Sequence, residues 1–198
     1  MQLNYLGVVA SVQCLYPRMV QRNAGHICLI SSVMGTMGFA GYSAYAASKY
    51  AVKGLADCLR NELQGTNVSI SIAFPPDTDT PGYKQENESK PPETREISAL
   101  STLFPPNKVA AGIVRGIKRR SYILPTPDIG LNLHADASQG LVPRGFLDTC
   151  CAMLTGWITP LVQSIYGLLF DRISRRHAQS RFRDLPSIDK NGSLKKSR

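Results

Sequence analysis

The stretch from Ile30 to Lys49 constrains this chain more than any other part of its sequence. It begins at the end of an apolar run, which starts at His26 and predicts a buried strand closed by a pair of serines. A glycine-punctuated loop follows the strand, and a helix is predicted to begin near Ser43. Polar side chains from both sides of this loop can therefore meet at the carboxyl end of the strand.

Three of these polar side chains form a candidate proton-transfer site. Tyr45 and Lys49 are four residues apart, which places them on one face of the predicted helix, and Ser32 ends the strand. The ammonium is expected to favour the phenolate and so to lower a tyrosine pKa that is ordinarily about 10. The serine hydroxyl can hold a substrate oxygen whose charge changes. A Tyr-x-x-x-Lys pair also occurs on exposed helix faces without any catalytic role, so the strand-end serine and the glycine-rich loop are what favour catalysis.

The spacing of these residues resembles the signature of the short-chain dehydrogenase/reductase family, in which a serine lies thirteen residues before Tyr-x-x-x-Lys. On this resemblance Ser32, rather than Ser31, orients the substrate carbonyl, and Tyr45 transfers the proton. Lys49 acts on the tyrosine, and the two together contact the nicotinamide ribose. The resemblance also implies an α/β fold, namely the C-terminal half of a Rossmann-like, doubly wound parallel sheet, and NADPH as the cofactor.

A fourth candidate residue lies in a helix predicted from Met1 to Gln21. Asn4 begins an Asn-x-x-Gly sequence that ends at Gly7. In the family such an asparagine bends the helix, and its carbonyl holds a water linked to the catalytic lysine, so the resemblance assigns this role to Asn4. Taken without the other three residues, Asn4 would be only a polar residue in an early turn.

A proline-rich loop follows a second strand, predicted at Val68–Phe74. In the family this loop covers the nicotinamide, and the resemblance assigns cofactor contacts to Pro75, Thr78 and Thr80. Pro76 stands where the family usually has glycine, which stiffens the turn and removes one amide donor. A proline-rich turn after an unrelated strand is the alternative interpretation of this loop.

The same loop narrows the choice of substrate. Its sequence, together with Glu86-Asn87, Lys90-Pro91 and Glu93-Thr94-Arg95, is similar to family members that reduce long-chain sphingoid ketones. The resemblance therefore implies a long-chain sphingoid ketone as the substrate. A reductase of steroid, retinoid or other lipid carbonyls is the alternative within the family.

The segment from residue 83 to residue 107 is polar and interrupted by prolines, and we predict a mobile loop that acts as a lid over the substrate. A helix is predicted after it, over residues 106–119, where apolar residues recur at helical spacing. A short closing strand is predicted at Tyr122–Leu124.

Residues 149–170 contain no charged side chain over a length sufficient to cross a bilayer. Pro160 and several polar residues dilute this segment. We expect membrane association, either as one spanning helix or as a re-entrant hairpin broken at Pro160; a buried C-terminal helix of a soluble enzyme is the third alternative. The arginines that follow favour a cytosolic tail. For an enzyme of lipid ketones we expect the endoplasmic reticulum membrane, with the catalytic part facing the cytosol.

The charge distribution agrees with this interpretation. The formal net charge is +9, and residues 171–198 contain nine Lys or Arg against three Asp. This region lacks interleaved aromatic residues beyond Phe182 and any recognised binding motif, so we expect no nucleic-acid partner. The five cysteines show neither metal-ligand nor disulfide spacing, so no metal site is predicted. We divide the chain into a catalytic half (1–127), an apolar appendage (128–183) and a disordered basic tail (184–198).

No Gly-x-x-x-Gly-x-Gly or Gly-x-Gly-x-x-Gly sequence is present, although a dinucleotide-binding fold places the pyrophosphate at such a turn. We therefore expect a truncated chain that holds the catalytic half of a reductase, in which the strands form the edge of a parallel sheet. The first two long helices offer a surface for a homo-oligomer. An alternative is a catalytically silent, membrane-bound fragment that pairs with a full-length enzyme through those helices.

Overall fold

The computed structural model describes residues 1–139 and 145–182. Its strands form one parallel sheet in the order β1 (Gly25–Ile30), β2 (Val68–Ala73) and β3 (Ile123–Leu124). β1 pairs with β2 along its whole length, whereas β3 pairs only with the last two residues of β2. Parallel pairing requires crossover connections, and helices supply them here.

Eight α-helices surround the sheet in the part of the chain that is described. A π-helical turn at Gln2–Leu6 leads directly into the first of them, and a 3₁₀ turn at Val33–Gly35 follows β1. The helices are α1 (Gly7–Gln21), α2 (Ser43–Glu62), α3 (Pro81–Ser89), α4 (Pro92–Ser98), α5 (Pro106–Lys118), α6 (Ile129–Ala137), α7 (Phe146–Thr155) and α8 (Ile158–Phe182).

The core lies between β2 and the helix α2. Ile72 of β2 and Val52 and Ala56 of α2 are fully buried, and partly buried side chains of α1 pack against the same apolar cluster. Because β2 lies between two strands and beneath helices, nearly all of its residues are buried. The α/β fold with a parallel sheet is confirmed, and the predicted strands and the helices over 1–21, 43–63 and 106–119 are confirmed to within two residues.

Residues 83–107 do not form the loop that was predicted, because α3 and α4 occupy most of the first half of this segment; its mobility and its role as a lid remain predictions. Pro81 and Pro92 are the first residues of these helices, where a missing N–H costs no hydrogen bond. The Thr80 hydroxyl accepts a hydrogen bond from the Tyr83 amide at 3.1 Å and so caps α3. The prolines that suggested a loop therefore mark two helix starts.

The apolar segment of residues 149–170 folds as the end of α7 and the first half of α8. Among the described residues, no single helix has the length and apolarity to span a membrane; Thr149–Thr155 and Ile158–His177 meet that criterion only as a pair, bent by 54°. The break falls at residues 156–157 and not at Pro160, which lies in the first turn of α8, where its missing N–H is tolerated.

The helix α8 packs against α4 and α6, so the appendage covers the catalytic unit. Ile173 of α8 is buried, whereas Trp157 and Leu168 are 73% and 69% exposed. Membrane association of this segment remains a prediction, as does the division at residues 127 and 128. The tail at residues 184–198 lies outside the described residues.

Candidate active site

A cavity of about 1040 Å³ lies at the carboxyl ends of β1 and β2. Its walls come from the loops that follow these two strands, from the start of α2, from α3 and from α8. Ser32, Tyr45, Pro75, Thr78 and Thr80 all line it. Five of the residues that the sequence singled out therefore face one space.

The two serines after β1 have different surroundings. Ser31 is buried, and its hydroxyl donates to the Lys49 carbonyl oxygen at 2.9 Å, so it fastens the loop to α2. Ser32 caps the 3₁₀ turn by accepting from the Met34 amide at 3.3 Å, and its hydroxyl also interacts with the phenol of Tyr45. Only Ser32 is thus placed to share a substrate oxygen with Tyr45.

The pKa of Tyr45 is raised above its ordinary value, which corrects the expectation that Lys49 lowers it. Burial is the main cause, because it disfavours the charged phenolate. The hydrogen bond with Ser32 lowers the pKa, whereas the carboxylates of Glu86 and Asp77 raise it. The phenol therefore stays protonated, and a protonated phenol is the form that donates a proton to a carbonyl oxygen.

Lys49 reaches the strand end next to Tyr45. Its ammonium lies 3.4 Å from the Ile30 carbonyl oxygen and 5.6 Å from the centroid of the Tyr45 ring. Burial lowers the pKa of Lys49. The close approach of the loop to α2 depends on Gly35, since a Cβ there would lie 2.9 Å from the Lys49 carbonyl oxygen.

Asn4 belongs to the π-helical turn that precedes α1. Its side-chain amide donates to the Ser48 hydroxyl at 3.2 Å, and that hydroxyl donates to the Tyr45 carbonyl oxygen at 2.7 Å. π-helical turns occur mostly as single turns and often lie at functional sites. Asn4 is therefore tied to the helix turn that carries Tyr45 and Lys49.

The threonine hydroxyls of the proline-rich loop after β2 form hydrogen bonds within the chain. Thr78 donates to the Pro76 carbonyl oxygen at 2.7 Å, and Thr80 accepts from the Tyr83 amide as the cap of α3. Each hydroxyl retains capacity for a further hydrogen bond, Thr78 as an acceptor and Thr80 as a donor.

A polar cluster on the cavity wall was missed by the sequence analysis. The Tyr42 hydroxyl donates to Glu86, and the Tyr83 hydroxyl donates to Asp77 Oδ2 at 3.2 Å. The Lys90 ammonium, on a side chain that is 2% exposed, lies 3.4 Å from Glu86 Oε1. The signal available in the sequence was the helix cap at Thr80-Pro81, since a helix from there places residues 83, 86 and 90 on one face.

The second missed feature is the apolar wall formed by α8. Val162, Tyr166 and Phe170 line the cavity, and the ring of Phe170 lies 5.3 Å from that of Phe39 in the loop before α2. His134 of α6 lies within hydrogen-bonding distance of the Thr36 carbonyl oxygen at 3.2 Å, and so connects α6 to the serine loop. The segment predicted as an appendage therefore closes the site.

Comparison with known proteins places this geometry in a family. Residues 1–91 match the model of the short chain dehydrogenases, and this segment contains Asn4, Ser32, Tyr45 and Lys49. Over these residues the chain belongs to the short-chain dehydrogenase/reductase family. The matched segment also contains β1, α2 and β2, the elements whose ends surround the cavity.

Two relatives share a name. The 3-ketodihydrosphingosine reductase of Dictyostelium discoideum is 43% identical over 148 residues, which are 74% of this chain and 44% of that protein. The 3-ketodihydrosphingosine reductase of Bos taurus is 34% identical over 191 residues, which are 96% of this chain and 57% of that protein. The chain thus spans about half the length of the curated relatives that it matches. The family and these names support assignment to the oxidoreductases.

A solved structure shares the fold. A short-chain dehydrogenase from Sphingobium yanoikuyae, in complex with NADPH, matches with a TM-score of 0.58 and 24% identity, over 70% of this chain and 51% of that one. At this identity the likeness shows the fold alone.

Proposed function

We propose that the chain is the catalytic part of a reductase that uses NADPH to convert the ketone of 3-dehydrosphinganine to the alcohol of sphinganine in sphingolipid synthesis. The observation that carries the proposal is the convergence of Ser32 and Tyr45 on one cavity that apolar side chains of α8 close; the raised pKa of Tyr45 agrees with its role as proton donor. The relatives of Dictyostelium and Bos that match this chain are named for the same reaction.

The residues of the chain perform the proton side of this reduction. Ser32 holds the carbonyl oxygen by hydrogen bonding, and its interaction strengthens as that oxygen gains negative charge. Tyr45 donates its proton to the same oxygen, so the ketone becomes an alcohol and the phenol becomes a phenolate. The Lys49 ammonium stabilises the phenolate once it has formed. Asn4 positions α2 through Ser48, because Ser48 is hydrogen bonded to the backbone of Tyr45.

Several residues fit a nicotinamide cofactor. The Lys49 ammonium and the Tyr45 hydroxyl are suited to ribose hydroxyls, and Pro75, Thr78 and Thr80 line the same cavity as Tyr45. A carboxamide both donates and accepts, and the free capacity of the Thr78 and Thr80 hydroxyls matches those two roles. NADPH, when bound, supplies the hydride that adds to the carbonyl carbon. The fold shared with proteins in complex with NADPH or NAD supports a nicotinamide cofactor.

The wall formed by α8 suits a long alkyl chain. Val162, Tyr166 and Phe170 present apolar surface to the cavity, and burying a hydrocarbon against it is favoured by about 25 cal/mol per Å². A long-chain lipid ketone also partitions into membranes, so attachment of the enzyme to a membrane surface brings it to its substrate. We extend the proposal to the cytosolic face of the endoplasmic reticulum membrane, with α7 and α8 in contact with membrane lipid.

Self-association is the last element of the proposal. The π-helical turn, α1 and α2 expose apolar side chains, among them Leu6, Leu15 and Tyr50 at 53%, 52% and 45%. Apolar side chains on two adjoining helices support a homo-oligomer formed by helix pairing.

The function is tested by oxidation of NADPH in the presence of 3-dehydrosphinganine. Tyr45→Phe is expected to reduce turnover by about 10² to 10⁴-fold while cofactor binding persists, because only the proton donor is lost. Tyr50→Phe is the matched control: it lies on the same helix, faces outward and should retain the wild-type rate. Turnover by Tyr45→Phe at the wild-type rate would exclude the proposed mechanism.

A substrate panel separates the alternatives. Faster reduction of steroid or retinoid carbonyls than of 3-dehydrosphinganine would assign the enzyme to another lipid ketone. No NADPH binding by the purified chain, together with co-purification of a full-length relative, would favour the catalytically silent fragment.

A further inference from the structure

Asp77 occupies an unusual position on the cavity wall. It follows β2 by four residues, in the loop that carries Pro75 and Thr78, and it is partly buried. Its Oδ2 atom accepts a hydrogen bond from the Tyr83 hydroxyl at 3.2 Å. Within residues 1–139 and 145–182 no ion pair includes Asp77, so its carboxylate is held by a neutral donor.

The nearby Glu86 has different partners. The Lys90 ammonium lies 3.4 Å from Glu86 Oε1, and the Tyr42 hydroxyl donates to the same oxygen. The Lys90 ammonium also lies 4.4 Å from the centroid of the Tyr83 ring, so the lysine is held between the two tyrosines. The cluster contains two carboxylates and one ammonium. One negative charge therefore remains on the wall after Lys90 has paired with Glu86.

The electrostatics of this wall affect the pKa values of two groups, Asp77 and Tyr45. Burial raises the pKa of Asp77, which means that its carboxylate is poorly solvated, although the charge of Lys90 lowers that pKa. The carboxylates of Glu86 and Asp77 also raise the pKa of Tyr45. A cation bound beside Asp77 would compensate its charge and would lie next to the proton donor.

The substrate class of the proposed function contains such a cation. A sphingoid ketone carries an amine on the carbon adjacent to the carbonyl, and at neutral pH that amine accepts a proton. Ser32, Tyr45 and Asp77 line the same cavity, so a carbonyl oxygen held by Ser32 and Tyr45 brings the adjacent carbon into the space that Asp77 borders. The alkyl chain leaves the carbonyl on its other side, where α8 provides an apolar surface.

We propose that Asp77 is the residue that selects amino ketones, by forming a charged hydrogen bond with the protonated amine next to the reacting carbonyl. This inference rests on the proposed function for its substrate class. It assigns different roles to two parts of the cavity, since Asp77 recognises the polar end of the lipid and α8 holds its hydrocarbon.

The test compares a ligand whose nitrogen is charged with a derivative whose nitrogen is a neutral amide, and Asp77→Asn separates the effect of the charge from that of the added acetyl group. A short-chain sphinganine that stays monomeric in water is titrated into the full chain by calorimetry, followed by its N-acetyl derivative, in which the nitrogen is a neutral amide. The wild type is expected to prefer the amine by about tenfold to a hundredfold, the range of one charged hydrogen bond. Asp77→Asn should lose this preference and keep its affinity for the N-acetyl ligand.

Asp79→Asn is the matched control. Asp79 lies in the same loop but forms an ion pair with Lys84 at 3.4 Å on the exposed surface, so its replacement should leave the preference unchanged. Equal affinity of the wild type for both ligands, or no measurable binding of either, would overturn the inference. A preference that persists in Asp77→Asn would also overturn it.

The calorimetric titration needs neither cofactor nor turnover, so its failure can be distinguished from failure of the proposed function. Amine preference that depends on Asp77, in a chain that does not reduce the ketone, would support this site and contradict the reductase. Turnover of the ketone without any amine preference would support the reductase and contradict this site.

Discussion

The ammonium of Lys49 lies 5.6 Å from the centroid of the Tyr45 ring and 3.4 Å from the carbonyl oxygen of Ile30. The lysine thus joins the helix that carries the tyrosine to the end of β1. The charges that act on the Tyr45 hydroxyl are instead those of Glu86 and Asp77, and they add to the effect of burial by raising its pKa. The site is accordingly set to donate a proton.

This arrangement predicts how the rate of reduction depends on pH. Reduction needs the protonated phenol, so kcat/KM should fall as the pH rises through the pKa of Tyr45. Glu86→Gln removes a negative charge that disfavours the phenolate, and the alkaline limb of the profile should therefore move to lower pH. Glu88→Gln, an exposed neighbour outside the cavity, serves as the control. An alkaline limb that moves to higher pH in Glu86→Gln would contradict this account.

Replacement by alanine should lower the free energy of unfolding at Gly41 and raise it at Gly54. Gly41 has φ +88°, and a Cβ there would collide with the buried side chain of Thr94 on α4. Gly41→Ala is expected to lower the free energy of unfolding by at least about 1 kcal/mol. Gly54 lies within α2 with no atom near its Cβ direction, and Gly54→Ala should raise the free energy of unfolding by about 0.5–1 kcal/mol. Urea unfolding measures both, and equal effects would refute the argument.

The contact between α4 and α8 depends on one of two neighbouring arginines. Arg176 reaches Glu96 of α4 at 2.5 Å, whereas Arg175 forms a 3.9 Å ion pair with Asp171 inside α8. Arg176→Gln should increase amide hydrogen exchange in α4, and Arg175→Gln should leave it unchanged. Added salt should weaken the wild-type protection, because the pair is exposed. Equal exchange in the two variants would show that the Arg176–Glu96 pair does not hold α4.

The contact between α4 and α8 is also predicted to weaken at acidic pH. The hydrogen bond with His177 is the main cause that lowers the pKa of Glu96, and Arg176 adds to it. A carboxyl whose pKa is lower in the folded state contributes stability above its unfolded pKa. That contribution is lost as the pH falls through the lowered value. Protection of α4 amides should therefore decline in acid, and Glu96→Gln should abolish this decline; protection that rises in acid would contradict the prediction.

Trp157 provides a measurement of membrane attachment. It is the only tryptophan in the sequence, it lies at the bend between α7 and α8, and it is 73% exposed. If these helices lie in a lipid surface, its fluorescence should shift to shorter wavelength when vesicles with anionic lipid are added. Leu154→Asp and Leu168→Asp should weaken the shift. An emission maximum unchanged by vesicles would contradict attachment through this bend.

The positions of the elements followed from local patterns. The apolar run before Ser32, the helical spacing of Tyr45 and Lys49, and the prolines at residues 81 and 92 are all properties of a few consecutive residues. Sequence reasoning used the first two correctly and misread the prolines, because a proline at the first helical position and a proline in a loop look alike until the capping hydrogen bond is known. The bend of the apolar segment was misplaced for a similar reason, since Pro160 lies where a helix tolerates it.

The sequence by itself determined the parallel α/β elements and the identity of the residues at the strand ends, because periodicity and spacing act over short distances. Only the tertiary structure decided the direction of the Tyr45 pKa, the pairing of Glu86 with Lys90 and the position of α8 across the cavity. These properties depend on burial and on distances between residues far apart in the chain. Asp77, which forms no ion pair with the described part of the chain, has no local signature in the sequence, because its role depends on the residues that fold around it.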